Sequence, residues 1–352
     1  MQMIIDSDCH VIESDQTWEY LDPQDIEFKP KAIENPDRPD RPLWVIDGHA
    51  RQRPFGTTST GAASEQLSGF SQTTFGTRSL GDVDARLEHM DELGVDIQVL
   101  YPTIYLTRVS ERPEVELALS KSYNRWLADI YWQSKGRLRW VAVPSLDSLE
   151  EVPAQLKYAK ENGAVGVFMR GYEGERRLTD EYFDPLYAAA LDNDLPVTVH
   201  AGCGNAAFAR LAEGDAYARN KLPVISAFHS ILFKRLPQKF PGLRFAFVEV
   251  AANWLPYILN DLRRRVDREG WDLGEDVLGE NRMYVACQTN DDLPYILEHV
   301  SGNNLLIGSD YGHSDTSSEL EALRHLKSDG RIEPSVIDKI LSENPSKLYA
   351  IS

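Results

Sequence analysis

The sequence predicts an α/β fold, a (β/α)8 barrel with a long insertion after the first strand. Three observations carry the prediction. Short, apolar, β-branched-rich runs alternate with amphipathic stretches until eight strands are counted, and runs of that kind are strands buried on both faces. No Gly-rich dinucleotide loop follows the first run, which disfavours a doubly wound sheet. The 352 residues exceed a typical domain, but a barrel holds such a length in one domain. Residues 1–352 are therefore read as a single barrel domain.

Met3 to Ile5 is the first strand. A long irregular stretch from Ser14 to about Leu80 follows. It holds a Pro-rich segment at 36–42, a short hairpin at Leu43–His49 and a Gly/Ser/Thr-rich run from Phe55 to Ser79. Loops this long inside a compact domain are commonly functional. Residues 14–80 are expected to cover the mouth of the site or to contact a second subunit.

From Asp82 the pattern is regular. Val83–Leu93 is an amphipathic helix with Gly94 as its stop. Strands are expected at Asp96–Tyr101, Leu138–Val143, Ala164–Met169, Pro196–Val199, Leu243–Val248, Met283–Ala286 and Leu305–Gly308. Between and after them lie helices at Pro113–Gln133, Leu149–Asn162 and Asp180–Asp194, a loop and helix running to Lys239, then helices at Trp254–Arg265, Asp291–Val300, Ser318–Ser328 and Pro334–Leu348.

Hydrophobic residues make up 42% of the chain, enough for a large core. The net charge of −18 argues against nucleic acid or an anionic membrane as partner. Cys9, Cys203 and Cys287 are odd in number and widely spaced, which suggests no disulfide framework and a cytoplasmic setting. No signal-peptide pattern and no run of 18 uncharged apolar residues is seen.

Active sites of such barrels sit at the C-terminal ends of the strands. Asp8 and His10 stand two apart after the first strand, so an extended backbone sends both to one side, as two ligands of one metal. The fifth strand ends at His200, the sixth at Glu249 and the eighth at Asp310. Each has an ordinary reading as a cap, surface charge or hydrogen-bonded core group. Together, at the ends of four strands that a barrel gathers into one ring, they point to a site.

Asp8-Cys9-His10, Val199-His200-Ala201-Gly202 and Gly308-Ser309-Asp310-Tyr311-Gly312-His313 resemble the amidohydrolase superfamily. Arg86 to Asp96, Phe240 to Phe245 with Glu249 and Trp254-Leu255-Pro256, and Asn344 to Tyr349 resemble its amidohydrolase-related branch, which includes aminocarboxymuconate-semialdehyde decarboxylase and several aromatic-acid decarboxylases. The resemblance spans nearly the whole chain outside 14–80. It implies a divalent metal held by Asp8, His10, His200 and Asp310, and a homodimer. Asp8 stands where that branch often has His, and Glu249 where its decarboxylases usually have His. A carboxylate in the first motif favours Zn, Mn or Fe over a thiolate-type site.

On this reading the chain is a metal-dependent hydrolase or decarboxylase of a small carboxylated or cyclic organic substrate. Asp310 is the proton carrier, with Glu249 or His229 as a second acid/base. Arg170, ending the fourth strand, is placed to anchor a substrate carboxylate through its planar fork, with an ion pair to Glu249 or Asp310 as the structural alternative. Tyr101, Tyr311 and Trp254 are placed to line an aromatic pocket or to pack in the core. His313 is placed to bind a second metal, orient Asp310 or cap the next helix. His49 on the insertion either closes over the substrate or is solvated, and His89, His299 and His325 are expected on helix surfaces. Seven ligands (Asp8, His10, His200, His229, Glu249, Asp310 and His313) also suit one or two ions, including a di-iron oxygenase bridged by Glu249. A barrel retained only for binding is the non-enzyme alternative.

Overall fold

The computed structural model describes residues 2–34, 43–52, 73–313 and 316–352. The Pro-rich segment at 36–42 and residues 55–72 of the Gly/Ser/Thr-rich run lie outside the described residues.

Among the described residues, eight parallel strands stand in one sheet in chain order. They are β1 (Ile5–His10), β2 (Ile97–Tyr101), β3 (Leu138–Ala142), β4 (Ala164–Arg170), β5 (Val197–His200), β6 (Phe245–Val248), β7 (Met283–Cys287) and β8 (Leu305–Ile307). Helices between them cover the outer face, which is the arrangement of a (β/α)8 barrel. Closure falls on the loop after β8. The amide of His10 donates to the Tyr311 carbonyl at 2.6 Å, and the amide of Asp310 donates to the Asp8 carbonyl at 2.9 Å. Asp6 adds a side-chain latch, accepting from the Ser309 amide and hydroxyl.

The strands are buried along nearly their full length on both faces, which is why they read as continuous apolar runs. Register brings the ends together. His200 stands opposite Arg170 on one side and Val248 on the other. The helices start and stop where their sequences direct. In Val83–Leu93 the Asp82 side chain caps the Ala85 amide, and Gly94 ends the helix at φ 72°.

Several boundaries differ from the sequence reading. β1 begins at Ile5 and runs through His10, so that Asp6, Asp8 and His10 lie buried on the strand itself rather than in a loop after it. The hairpin is part of a three-stranded antiparallel sheet that also takes in Lys31–Ile33. The expected helix Ser318–Ser328 is regular only over Ala322–Lys327. The final helix is interrupted by a π-turn at Lys339–Glu343. The described part of the insertion is not loose. Trp18 and Trp44 are fully buried and meet edge to face at 6.2 Å, so these residues join the core. Among the described residues, no helix is long and apolar enough to cross a membrane.

Candidate metal centre

Asp8 and His10 leave β1 on the same side, as the period of an extended strand requires. His200 ends β5. Glu249 and Asp310 follow the last residues of β6 and β8, both with left-handed backbones at φ 62° and 51°. That conformation costs a non-glycine residue about 1–2 kcal/mol. It persists here at two of the residues that face the centre.

The imidazoles define the geometry. Nδ1 of His10 lies 3.1 Å from the Pro102 carbonyl, and Nδ1 of His200 lies 2.9 Å from the Ala201 carbonyl. A carbonyl only accepts, so each ring carries its hydrogen on Nδ1. Their Nε2 atoms, both lone pairs, then face each other at 3.1 Å. Asp8 Oδ1 stands 3.3 Å from His200 Nε2 and 3.6 Å from His10 Nε2. Glu249 Oε2 stands 3.3 and 3.9 Å from the same two atoms. Burial, with His313 and His200 alongside, pushes His10 well below the ordinary imidazole range, so it resists taking a proton. Two imidazole lone pairs and two carboxylates converging on one buried point suit a cation.

These separations match neighbouring donors around one small ion, whose bonds to N and O ligands are about 2.0–2.2 Å. Asp8, His10, His200 and Glu249 form one group that could hold a metal, and His10, Glu249, Asp310 and His313 form a second. The backbone is shaped for the first. A Cβ on Gly308 would lie 2.2 Å from Asp8 Cβ, so only glycine lets β8 pass this close.

Beside this set, Asp310 Oδ1 lies 2.9 Å from His313 Nδ1 and 3.5 Å from His10 Nε2. The His313 ring stacks on His10 at 3.7 Å. All three thiols are pushed above their ordinary range by burial, which argues against thiolate ligands.

The family profile described as amidohydrolase matches residues 5–351. The chain belongs to the amidohydrolase family. No curated protein sequence matches this amidohydrolase. Among solved structures it is similar to an amidohydrolase from Mycobacterium avium subsp. paratuberculosis K-10, with 18% identity, a TM-score of 0.77 and 99% of each chain covered. A 5-carboxyvanillate decarboxylase from Novosphingobium aromaticivorans, solved with manganese and 4-hydroxy-3-methoxy-5-nitrobenzoic acid, is 15% identical with a TM-score of 0.70. That match covers 99% of this chain and 96% of the other. A 4-oxalomesaconate hydratase from Rhodopseudomonas palustris is 17% identical with a TM-score of 0.66, over 99% and 96% of the two chains. At these identities the likeness concerns the fold.

The amidohydrolase barrel brings Asp8, His10, His200, Glu249, Asp310 and His313 together. It places five other expected site residues elsewhere. His229 is paired with Asp261 at 3.3 Å and stacks on Phe233, because its position on helix Leu222–Phe233 faces the neighbouring helix Leu255–Arg268. It is neither a ligand nor a second acid/base on this geometry. The Arg170 fork is held by Glu173, with Nε–Oε1 at 3.0 Å and Nη2–Oε2 at 2.5 Å, and Nη1 donates to the Tyr105 carbonyl. Its partner is thus Glu173, not Glu249, Asp310 or an open carboxylate site. Tyr101 is fully buried beside His200, and its hydroxyl meets Tyr349, so it packs in the core. Trp254 donates to the Ala251 carbonyl and packs edge-on against Phe228. Tyr311 is a buried core ring whose hydroxyl meets His89, so His89 is half-buried rather than on an open helix surface. His49 is exposed.

Sequence reasoning missed three residues. Thr103 lies within 3.0 Å of His313 Nε2. Glu13 is fully buried, accepts from the Thr103 and Ile104 amides, and is pushed up to about 7 by burial. Asp6 is the latch to Ser309. All three lie in or just after a strand, two or three positions from the residues that the pattern singled out.

Proposed function

We propose that this amidohydrolase is a metal-dependent hydrolase or decarboxylase acting on a small carboxylated or cyclic organic substrate. The observation that carries the reading is the pair of Nε2 lone pairs of His10 and His200, 3.1 Å apart between two carboxylates. The manganese bound by the 5-carboxyvanillate decarboxylase of the same fold supports it.

Asp8, His10, His200 and Glu249 would hold one divalent ion, Zn, Mn or Fe. Such an ion supplies Lewis-acid polarisation of a substrate oxygen and acidifies water. His10 belongs to both ligand groups yet offers a single lone pair. That favours one ion over two and counts against the di-iron oxygenase.

Asp310 then carries the proton. In hydrolysis it takes a proton from the attacking water and returns it to the leaving group as the acyl bond breaks. In decarboxylation the C–C bond breaks, its electron pair stays on the substrate carbon, and Asp310 protonates that carbon as carbon dioxide leaves. His313, 2.9 Å from Asp310 Oδ1, holds or resupplies the proton in both cases. The fold does not choose between them, since similar barrels are described as an amidohydrolase and as a decarboxylase.

The test is metal analysis of protein purified without chelator, followed by two assays. Hydroxybenzoates are screened for carbon dioxide release, and cyclic esters and amides for proton release. About one ion per chain and turnover in one assay, abolished in Asp310→Asn, is the expected result. Failure to bind Zn, Mn or Fe, or full turnover by Asp310→Asn, would overturn the reading.

A further inference from the structure

We propose that Thr103 is a positioning residue that fixes which nitrogen of His313 carries hydrogen, and so aims His313 Nδ1 at Asp310. The inference rests on the proton-carrying role given above to the Asp310–His313 pair, but its evidence is separate.

Thr103 lies just past the end of β2, in the turn Pro102-Thr103-Ile104, and is half-buried. Its hydroxyl has three neighbours. The Val11 carbonyl is 2.6 Å away, His313 Nε2 is 3.0 Å away, and His10 Nδ1 is 3.5 Å away. A hydroxyl has one hydrogen and two lone pairs, whereas a carbonyl can only accept. The shortest contact therefore takes the Thr103 hydrogen, which points at Val11. Only a lone pair remains for His313, so the shared hydrogen must sit on His313 Nε2.

The backbone holds this arrangement in place. Both oxygens of the buried Glu13 accept from the amides of Thr103 and Ile104 at 3.0 Å, which pins the turn that presents the hydroxyl. The His313 ring is clamped from the other face by its 3.7 Å stack on His10. With Nε2–H committed to Thr103, Nδ1 is the nitrogen left facing Asp310 Oδ1 at 2.9 Å, and the one hydrogen shared in that contact is the proton the pair carries. The ring cannot turn over without leaving the Thr103 oxygen unmatched. Hydrogen bonds to the far nitrogen of a working histidine set its ring orientation in many sites, and their loss typically costs about 10–100-fold in function.

A methyl in place of the hydroxyl keeps the shape and removes the acceptor, so Thr103→Val is the informative change. Thr103→Ser keeps the acceptor. Long-range proton–nitrogen correlation spectra of 15N-histidine-labelled, zinc-loaded protein read the hydrogen position directly, with the His313 signals assigned by their loss in His313→Asn. The expected result is hydrogen on Nε2 of His313 in the natural protein and in Thr103→Ser, and a shift towards tautomer averaging in Thr103→Val. Zinc content stays the same in all three. In whichever assay yields turnover, Thr103→Val should lose about 10–100-fold in kcat with KM little changed, and Thr103→Ser should remain within about threefold. A natural protein with Nε2 unprotonated, or a Thr103→Val spectrum identical to it, would overturn the proposal. The spectrum of the natural protein tests the hydrogen position even if Thr103→Val does not fold. A changed tautomer with unchanged kcat upholds the tautomer assignment and instead refutes the proton role of the Asp310–His313 pair.

Discussion

His10 and His200 face each other through Nε2 atoms 3.1 Å apart, each with Nδ1 bonded to a backbone carbonyl. Without a cation, two lone pairs and the carboxylates of Asp8 and Glu249 crowd one buried point. A bound ion relieves that repulsion in the folded state alone, since the four residues are scattered in the unfolded chain. Metal addition should therefore raise the melting temperature, by about 2.7 kcal/mol of stability at a hundredfold excess over Kd. Stripping with chelator should reverse the gain. In His200→Ala the thermal shift with added metal should largely vanish and metal content should fall at least tenfold. A full shift in that variant would place the ion elsewhere.

Gly308 is the contact that lets Asp8 reach this point. An added methyl would meet Asp8 Cβ at 2.2 Å and its amide nitrogen at 2.8 Å. Both are backbone-bound atoms that cannot swing aside, so Asp8 must move. Gly308→Ala should lose about 1–3 kcal/mol and bind metal more weakly. Gly330, where an added Cβ meets nothing within 4 Å, is the control. Gly330→Ala should change neither quantity measurably. Equal metal affinity in the two variants would mean that Asp8 is not held by this approach.

Glu116 makes stability depend on pH. Burial raises its carboxyl from 4.5 to about 7, against the pull of Arg170 and Arg108. The folded state therefore holds a proton that the unfolded chain has lost, between about pH 4.5 and 7. Stability contributed by this group is present below the lower value and falls as pH rises to the upper one. Glu116 Oε2 accepts from the Asp147 amide at 3.0 Å, an interaction that Gln can keep. Glu116→Gln should remove a decline of about 1–3 kcal/mol across that window. Urea midpoints measured at about pH 5, 6 and 7.5 would show it. Parallel pH profiles for the two proteins would remove Glu116 as the cause.

The barrel and most of the centre were legible because both rest on local signals. Buried strands print as apolar runs, and the residue that ends such a run is the one at the mouth. His200, Glu249 and Asp310 were found that way. Arg170 met the same criterion and misled. Glu173, three residues on, turns back through the short hairpin Tyr172–Arg177 and takes its fork, and no periodicity announces a chain reversal of that kind. His229 failed for another reason. Its helix could be read from the sequence but not its direction around the helix axis, and it lies past the middle of Leu222–Phe233, facing Asp261. Thr103 was missed because its role comes from one oxygen lying between Val11 and His313, a relation among three separate loops.

The Arg170–Glu173 pair invites the last prediction. Both groups are almost wholly buried, and Glu173 also accepts from the Arg170 amide at 2.7 Å. Such a pair adds little over an apolar replacement, but removing one partner leaves the other charge unmatched at about 3–5 kcal/mol. Glu173→Gln strands the guanidinium while its side-chain oxygen can still accept from the Arg170 amide. Arg170→Met strands the carboxylate. Each single variant should be destabilised by an amount in that range. In the double variant neither charge remains, the amide keeps an acceptor, and the methionine fills the space of the arginine stem. Its loss should then be smaller than the larger single loss, a coupling of about 3 kcal/mol or more. Denaturant midpoints at constant slope measure all four proteins. Simple additivity would mean that water reaches the pair and that Arg170 keeps enough solvation to serve a ligand instead of Glu173. In that case the carboxylate-anchor role expected from its place at the end of β4 would be the better account.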